Sequence, residues 1–334
     1  MQDTNLPRRA FLKGVSAVAA GLTLNGTLPA ALGEGATSAA SGGVPKRKFG
    51  RASEEVSIVG VGGHTLATAA SEAESIRMVH EAIDGGINFM DNAWEYHEGR
   101  GEEVMGKGLK GWRDKVFLAT KVCTHGKDKK VAMRMLEESL RRLQTDRLDL
   151  WSIHAIASEE EVAAAFAPGG VVEALDEARK QGKTRYVGFT GHTSPKFHLA
   201  MLTHGYQFDA VLMPLNAFEA ERRGFRVEVL PQLNQHGIAA LGMKSLGGDA
   251  KVVREGKLTV EQGLRFALSL PMTSLMVGMK SLDNLRANLK TVQNFKPMSP
   301  AEMEAMTTRL AALPHATRSY CRYRLPEYRD GRFA

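Results

Sequence analysis

The chain has 334 residues, of which 43% are hydrophobic and 24% are charged, and it carries a formal net charge of +7. This composition is typical of a soluble globular protein with one large domain or two ordinary ones, and the mild basicity favours anionic ligands without indicating nucleic acid. The two cysteines, Cys123 and Cys321, cannot form a disulfide framework, and the chain has no CxxC pair for zinc or an iron–sulfur cluster.

The N-terminal segment 1–43 differs in character from the rest of the chain. It contains Arg8-Arg9-Ala10-Phe11-Leu12-Lys13, then a weakly apolar stretch rich in Ala and Gly at 15–28, then a small-residue spacer. This order resembles a twin-arginine signal peptide, so we expect the twin-arginine export machinery as a partner and a periplasmic mature protein. The apolar stretch is too short to span a membrane, so we expect no stable membrane insertion after processing. The alternative is a disordered basic N-terminus on a cytoplasmic protein.

Eight short apolar runs follow the leader, separated by segments with the periodicity of amphipathic helices. The predicted strands are 56–63, 87–91, 116–121, 148–154, 186–190, 210–214, 238–243 and 274–278. The predicted helices are 71–84, 128–143, 171–181, 195–204, 228–235, 259–270, 282–292 and 298–313.

Strands that are apolar along their whole length predict a parallel sheet covered by helices. Eight such units close into a (β/α)₈ TIM barrel, which makes the fold class α/β with a single domain. An open doubly wound sheet is the alternative. We place the barrel domain at 44–313 and interpret 314–334 as a C-terminal tail that could act as a lid on the substrate side.

Polar side chains stand at the ends of three successive predicted strands. Asp91 ends the second strand, Lys121 the third and His154 the fourth, and Tyr96 follows Asp91 in a loop. Barrel active sites are built at the C-terminal ends of the strands, so these side chains are predicted to share one face. Each could have an ordinary role as a cap, a solvated strand end or a rim histidine, but their common position favours a catalytic site.

The four residue types also suit one reaction. An unperturbed tyrosine has a pKa of about 10, and a neighbouring ammonium lowers it by favouring the phenolate. A carboxylate keeps the lysine charged and oriented, and a histidine can donate a hydrogen bond to a substrate oxygen. The set therefore fits protonation of a carbonyl oxygen as a hydride arrives at carbon. It contains no cluster of metal ligands, so we expect no metal.

Several motifs occur in a specific order and spacing. They are Gly86-Ile87-Asn88-Phe89-Met90-Asp91-Asn92-Ala93 with Tyr96, Leu118-Ala119-Thr120-Lys121, Asp149-Leu150-Trp151-Ser152-Ile153-His154, Gly182-Lys183-Thr184-Arg185-Tyr186-Val187-Gly188-Phe189-Thr190, Pro214-Leu215-Asn216 and Val277-Gly278-Met279-Lys280-Ser281-Leu282-Asp283-Asn284-Leu285-Arg286-Ala287-Asn288. With them the chain resembles the aldo-keto reductases from about residue 46 to 314. The resemblance implies a tetrad of Asp91, Tyr96, Lys121 and His154 with Tyr96 as general acid. It also implies NADPH bound in an extended pose without a Rossmann fold, and hydride delivery to a small-molecule aldehyde or ketone.

A physical argument places a cofactor phosphate at the start of a predicted helix. Residues 278–288 lead from a strand end into a helix, where free backbone N–H groups, Lys280 and Ser281 would form an anion site. The resemblance implies that Thr190 and Asn216 hold the nicotinamide amide. The full set of predicted cofactor contacts is Gly62, Gly63, Thr190, Gly191, Asn216, Met243, Lys244, Gly278, Lys280, Ser281, Asn284 and Asn288. Trp94 and His192 are predicted to line the substrate pocket.

Four positions depart from the pattern of typical relatives. Gly191 replaces a common Asn and Leu212 a usual Gln, while Ser281 and Ala287 stand where Arg and Glu are frequent. Fewer side chains are therefore expected to hold the dinucleotide, and we expect NADPH with NADH as the alternative. Some bacterial members carry a C-terminal cysteine cluster, but this tail retains only Cys321, so we expect no iron–sulfur cluster.

Three further patterns carry less weight. The sequence 101–108 nearly forms a P-loop but lacks the Ser or Thr that holds Mg²⁺, so we predict a surface helix there. The sequence 60–65 fails the GxGxxG pattern at Thr65, although Gly62 and Gly63 are still expected to line the cofactor cleft. The tail interleaves arginines with tyrosines, as in some single-strand binders, but no second basic stripe accompanies it, so we expect no nucleic-acid partner.

These observations predict an exported NAD(P)H-dependent carbonyl reductase, or an enzyme that runs the reverse reaction on a sugar or alcohol. An alternative from a different class is a catalytically quiet nucleotide-binding barrel that acts as a redox-responsive partner protein. The intact tetrad favours the enzyme.

Overall fold

A computed structural model describes residues 43–123, 128–218 and 224–313, together with the backbone of two short strands near the C-terminus. The predictions made for the leader, for Cys321 and for the side chains of the tail lie outside the described residues. Within the described part of the chain, no helix is long and apolar enough to cross a membrane.

The centre of the fold is a closed barrel of parallel strands, preceded by an antiparallel hairpin. The strands are β1 (Lys46–Lys48), β2 (Glu55–Ser57), β3 (Val59–Gly62), β4 (Phe89–Asp91), β5 (Phe117–Val122), β6 (Leu148–Ile153), β7 (Thr184–Thr190), β8 (Ala210–Pro214), β9 (Ala239–Met243), β10 (Ser274–Val277), β11 (Tyr328–Arg329) and β12 (Arg332–Phe333). The hairpin is formed by β1 and β2, and β3 to β10 close the barrel in chain order with β10 beside β3. The predicted (β/α)₈ TIM barrel is confirmed. Each predicted strand overlaps a barrel strand, and the first, 56–63, also covers the end of the hairpin strand β2.

Helices connect the barrel strands and cover them on the outside. They are Gly63–Leu66, Glu72–Asp84, Arg100–Gly108, Lys129–Leu143, Glu159–Phe166, Val171–Lys180, Pro195–Thr203, Phe225–Glu228, Leu230–Gln235, Lys251–Arg254, Val260–Leu268, Leu282–Gln293 and Pro300–Ala311, with a 3₁₀ turn at Arg113–Lys115. The predicted helix 228–235 corresponds to two short helices instead of one. Pro231 follows the first residue of the second helix and lacks the N–H that a continuous helix would need.

Polar residues fix where most of the longer helices begin. The side chains that accept a hydrogen bond from a first-turn N–H are those of Ser71, Asp128, Ser158, Ser194, Thr259, Ser281 and Ser299. Such caps satisfy donors that a helix start leaves without intrahelical partners. Each cap therefore marks the residue before which its helix cannot begin.

The barrel encloses a core that is separate from the larger core between strands and helices. The inner core contains Phe89, Phe117, Leu150 and Leu241, which project from barrel strands. Phe49, from the turn of the hairpin, is 1% exposed and packs among them. The hairpin was not predicted, because two strands of three residues show no readable alternation. It closes the end of the barrel opposite to the strand ends that carry Asp91, Lys121 and His154.

The helix Arg100–Gly108 confirms the predicted helix at 101–108, but its predicted surface location is wrong. Glu102 is fully buried, and Thr120 Oγ1 donates to its Oε1 at 2.6 Å. Arg142 lies 3.3 Å from the other carboxylate oxygen. Burial raises the pKa of Glu102, while the hydrogen bond from Thr120 and the charge of Arg142 oppose the rise. A P-loop role is excluded, since this glutamate anchors the helix to β5 from within the packed layer.

Replacing Phe49 by alanine should lower the free energy of unfolding by about 3–5 kcal/mol, because it empties a site closed on all sides by rings. The Phe49 ring centroid lies 4.6 Å from that of Phe117 and 5.2 Å from that of Tyr186. Urea unfolding followed by tryptophan fluorescence measures the loss. The partly exposed Phe295 provides a matched control, and an equal loss for Phe295→Ala would contradict a special role for Phe49.

Candidate active site

A buried ion pair lies at the ends of β4 and β5. Lys121 Nζ is 2.8 and 2.7 Å from the two carboxylate oxygens of Asp91, and it also donates to the backbone oxygen of Asn92. Lys121 is 2% exposed and Asp91 is 6% exposed. Burial raises the pKa of Asp91, and the charge and hydrogen bonds of Lys121 act in the opposite direction. The Lys121 ammonium therefore donates hydrogen bonds to three oxygen atoms, which fix its position.

Tyr96 lies beside this ion pair. The Lys121 Nζ is 5.1 Å from the centroid of the tyrosine ring. The ring of His154, at the end of β6, is 5.6 Å from the Tyr96 ring at an interplanar angle of 76°. The loop that carries Tyr96 is tied back to β5 by the N–H of Trp94, which donates to the Lys121 oxygen at 3.0 Å. The four residues predicted to act together are thus brought together at one end of the barrel.

Glu95 is a member of this cluster that the sequence analysis missed. Its Oε1 is in ion-pair contact with Nδ1 of His154, and the two side chains are 10% and 11% exposed. The thiol of Cys123 donates to the other oxygen of Glu95 at 2.8 Å. The available signal was an acidic residue directly before the predicted acid Tyr96, in the loop that follows Asp91.

Two more histidines at the mouth were also missed. The His64 ring lies 5.2 Å from the Tyr96 ring, and the His97 ring lies 4.6 Å from that of His64. Burial, reinforced by His97 and Lys280, lowers the pKa of His64 to about 4. His192, at the end of β7, has its pKa lowered to about 3 by burial and then by Lys244. At neutral pH both His64 and His192 are therefore uncharged.

The side chain of Trp94 points toward a helix. Its Nε1 donates to Glu138 at 2.8 Å, and the guanidinium of Arg142 lies 5.0 Å from its ring centroid. Both partners belong to the helix Lys129–Leu143, and the residue is 7% exposed. The indole therefore packs between barrel and helix, and its role as a pocket wall stays a prediction.

Several predicted cofactor residues occupy the ends of β7 to β9. Thr190 Oγ1 accepts a hydrogen bond at 2.8 Å from the N–H of Ala155, which has a positive φ of 47°. Asn216 accepts from the N–H of Phe218 at 2.9 Å and donates to the Lys244 oxygen at 3.4 Å. Lys244 itself has a φ of 57°, an unfavourable backbone conformation for a residue with a side chain. Its strained backbone follows Met243 at the end of β9, on the same rim as the tetrad.

The predicted cofactor glycines are explained by close packing within the protein. A Cβ on Gly63 would lie 2.5 Å from the side chain of Asn92, and one on Gly278 would lie 2.9 Å from Thr65. On Gly62 it would lie 3.3 Å from a backbone oxygen of β10, and on Gly191 2.6 Å from the ring of His198. These contacts account for the glycines, and a cofactor contact at any of them stays a prediction.

At the start of the helix Leu282–Gln293, backbone N–H groups that were predicted to be free for an anion are hydrogen-bonded to side chains. Ser281 Oγ accepts from the N–H of Asn284 at 3.2 Å, and Asn284 Oδ1 accepts from the N–H of Lys280 at 3.4 Å. The carboxylate of Glu74 accepts from the N–H of Leu282 at 3.2 Å. The expectation of free N–H groups is therefore wrong at these three positions. Asn288 is buried further along the helix, at 6% exposure.

Among the described residues, no group of three or more His, Cys, Asp or Glu side chains could hold a metal ion. A closed barrel with a carboxylate, a lysine, a tyrosine and a histidine at the mouth is the arrangement expected from the sequence motifs. Residues 58–257 match the sequence profile of the Aldo/keto reductase family. This match extends over more than half of the chain, which therefore belongs to that family.

Individual relatives agree with this assignment. The aldo-keto reductase YhdN of Bacillus subtilis is 32% identical over 227 residues, which cover 62% of this chain and 62% of that protein. The chain spans about half the length of other curated relatives that it matches, 48% and 49% in two of them.

Two solved structures share the fold. The holo form of an aldo-keto reductase from Bacillus halodurans is 26% identical with a TM-score of 0.65, and the match covers 82% of this chain and 99% of that one. An aldo/keto reductase from Klebsiella pneumoniae, solved in complex with NADP and acetate, is 21% identical with a TM-score of 0.63, covering 77% of this chain and 92% of that one.

Proposed function

We propose that this chain is an NAD(P)H-dependent carbonyl reductase that converts a small aldehyde or ketone to an alcohol, or runs the reverse reaction. The observation that carries the proposal is the position of Lys121 Nζ. It contacts both oxygens of the Asp91 carboxylate and lies 5.1 Å from the Tyr96 ring centroid. A buried ammonium at this place favours the phenolate, so Tyr96 gives up its proton more readily than a tyrosine in water.

The roles of the protein groups follow from these contacts. In the reducing direction the Tyr96 hydroxyl donates its proton to the carbonyl oxygen, and a nicotinamide dinucleotide, when bound, would supply the hydride. Lys121 stabilises the negative charge left on the phenolate, and Asp91 stabilises Lys121 as an ammonium in a buried place. The His154 ring, 5.6 Å from the Tyr96 ring, is placed to donate a hydrogen bond to the same oxygen. In the oxidising direction the same groups remove the alcohol proton.

The cofactor is proposed to bind along the ends of β7 to β10. Thr190, Asn216 and Met243 stand where the nicotinamide would be held, and Lys244 and Lys280 add positive charge for the phosphates. The Klebsiella pneumoniae relative, which binds NADP, supports the choice of a nicotinamide dinucleotide. Between NADPH and NADH the sequence favours NADPH, whereas Glu74 at the helix start opposes a phosphate there.

Replacing Tyr96 by phenylalanine should lower kcat for carbonyl reduction by about 10²- to 10⁴-fold, because the general acid is lost, and should leave the dissociation constant of the dinucleotide unchanged. Steady-state rates on a panel of aldehydes and fluorescence titration with NADPH and NADH measure the two quantities. Tyr206 provides the control, since its hydroxyl donates to Asp176 at 2.7 Å, away from the tetrad. Retained turnover in Tyr96→Phe would refute the assignment of the acid. Dinucleotide binding without turnover in the unaltered chain would favour the quiet redox-responsive partner instead.

Replacing Glu74 by glutamine should tighten NADPH binding about two- to fivefold and leave NADH binding unchanged. The substitution keeps an oxygen for the Leu282 N–H but removes a negative charge from the proposed phosphate site, where such a charge changes the free energy by about 0.3–1 kcal/mol. Glu72 provides the matched control, because it lies in the same helical turn and pairs with Lys107 at 2.9 Å. Equal NADPH affinities for Glu74→Gln and the unaltered chain would place the adenosine phosphate elsewhere.

We also propose export by the twin-arginine pathway, with a periplasmic location for the mature protein. The support is the sequence from Arg8 to Lys13 and the weakly apolar stretch that follows it. Cell fractionation tests the proposal: replacing both Arg8 and Arg9 by lysine should retain the protein in the cytoplasm. Unchanged fractionation would leave the leader without an export role.

A further inference from the structure

The loop after β4 carries a second carboxylate that contacts the catalytic cluster. Asp91 pairs with Lys121, and Glu95 in the same loop pairs with His154. The proposed reaction uses Asp91 to hold the lysine, but it leaves Glu95 without a role. The two carboxylates flank the Tyr96 ring through their partners, since Lys121 and His154 both lie against that ring.

The contact between Glu95 and His154 determines where the imidazole carries its proton. Oε1 of Glu95 faces Nδ1, and both side chains are about nine-tenths buried. Two lone pairs facing each other in a buried place would repel, so this contact favours a proton on Nδ1. With Nδ1 protonated, the neutral ring has only a lone pair at Nε2. Nε2 then donates a hydrogen bond only in the imidazolium form.

The other side of Glu95 is fixed as well. Cys123, which directly follows β5, is buried, and its thiol donates a hydrogen bond to Oε2 of Glu95 over a distance of 2.8 Å. A carboxylate with one oxygen bound to a thiol and the other to an imidazole has little freedom to rotate. Cys123, Glu95 and His154 therefore form a chain of contacts that crosses from β5 to the end of β6.

We propose that Glu95 is a positioning residue, which keeps a proton on Nδ1 of His154, so that Nε2 is the nitrogen that takes up the second proton of the ring and then donates it in a hydrogen bond to the substrate oxygen. This inference rests on the proposed reductase function for its kinetic consequence, but the position of the proton is a property of the protein alone. The other titratable groups that face His154 are Tyr96, Asp91, His64 and His192. Of these, His64 and His192 are neutral and Asp91 is bound to Lys121, so Glu95 is the carboxylate in direct contact with the ring.

Nitrogen-15 NMR of histidine-labelled protein tests the proton position directly, with a His154→Asn variant to assign the signals. In the unaltered chain Nδ1 of His154 should remain protonated on both sides of the titration, and Nε2 should lose its proton as the pH rises. A neutral His154 with its proton on Nε2 would overturn the proposal. This measurement requires neither a folded Glu95 variant nor catalytic turnover. Its result is therefore independent of the proposed function.

The variant Glu95→Gln should reverse the tautomer. The amide oxygen would accept from the Cys123 thiol, leaving the amide NH₂ to donate to Nδ1 and moving the proton of the neutral ring to Nε2. We expect kcat/KM about tenfold lower at acid pH, because a neutral donor replaces a charged one, and a flatter pH profile than that of the unaltered chain. Glu98→Gln, an exposed glutamate of the same loop, should match the unaltered chain.

The outcomes separate the two claims. A Glu95→Gln variant with unchanged tautomer and unchanged pH profile would refute the positioning role while leaving the reductase intact. An unaltered chain that turns over no carbonyl substrate, but shows Nδ1 protonated, would refute the reductase and leave the positioning of His154 standing.

Discussion

The structure of the mouth depends on the buried ion pair between Asp91 and Lys121. An ammonium at 2% exposure is tolerated only when its charge and its donors are met, and here two carboxylate oxygens and a backbone oxygen meet them. Because Asp91 ends β4 and Lys121 lies in β5, the pair joins neighbouring strands at the rim where the catalytic loop begins. The loop is then held a second time by the N–H of Trp94, which donates to the backbone of Lys121. The position of Tyr96 relative to the ammonium follows from these two attachments.

Charge is distributed unevenly around this rim. The ends of β4 to β6 carry two pairs of groups in contact, Asp91 with Lys121 and Glu95 with His154. The histidines nearest to them, His64 and His192, stay neutral because burial and neighbouring cations lower the pKa of each. Positive charge on the remaining part of the rim comes from Lys244 and Lys280, which suits an anionic dinucleotide. A carbonyl substrate of the proposed reaction would thus meet these two pairs on one side and the cofactor on the other.

The sequence allowed the barrel and the tetrad to be predicted, because both leave local signals. Apolar runs repeated at regular spacing define the strands, and polar residues at their ends stand out against that background. The hairpin plug at Phe49 left no such signal, since its contacts with Phe117 and Tyr186 join distant parts of the chain. The buried Glu102 could not be distinguished from a surface glutamate, because helical periodicity does not reveal which arginine or threonine will meet it. The capped start of the helix at Leu282 depended on Glu74, which comes from a different helix.

Glu95 illustrates a more specific reason why some site residues could not be predicted from the sequence. Its neighbours Trp94 and Tyr96 point to different layers of the structure, one toward the helix Lys129–Leu143 and one toward the lysine. In an irregular turn the side-chain directions do not repeat at a fixed interval. Sequence periodicity therefore could not predict that Glu95 contacts His154. Once the contacts are known, the last residue of β4 and the short loop after it are seen to supply the proposed acid together with a carboxylate for each of the acid's two neighbours. Residues coupled in this way act as a unit, so the effects of replacing Asp91 and Glu95 together should not equal the sum of the separate effects.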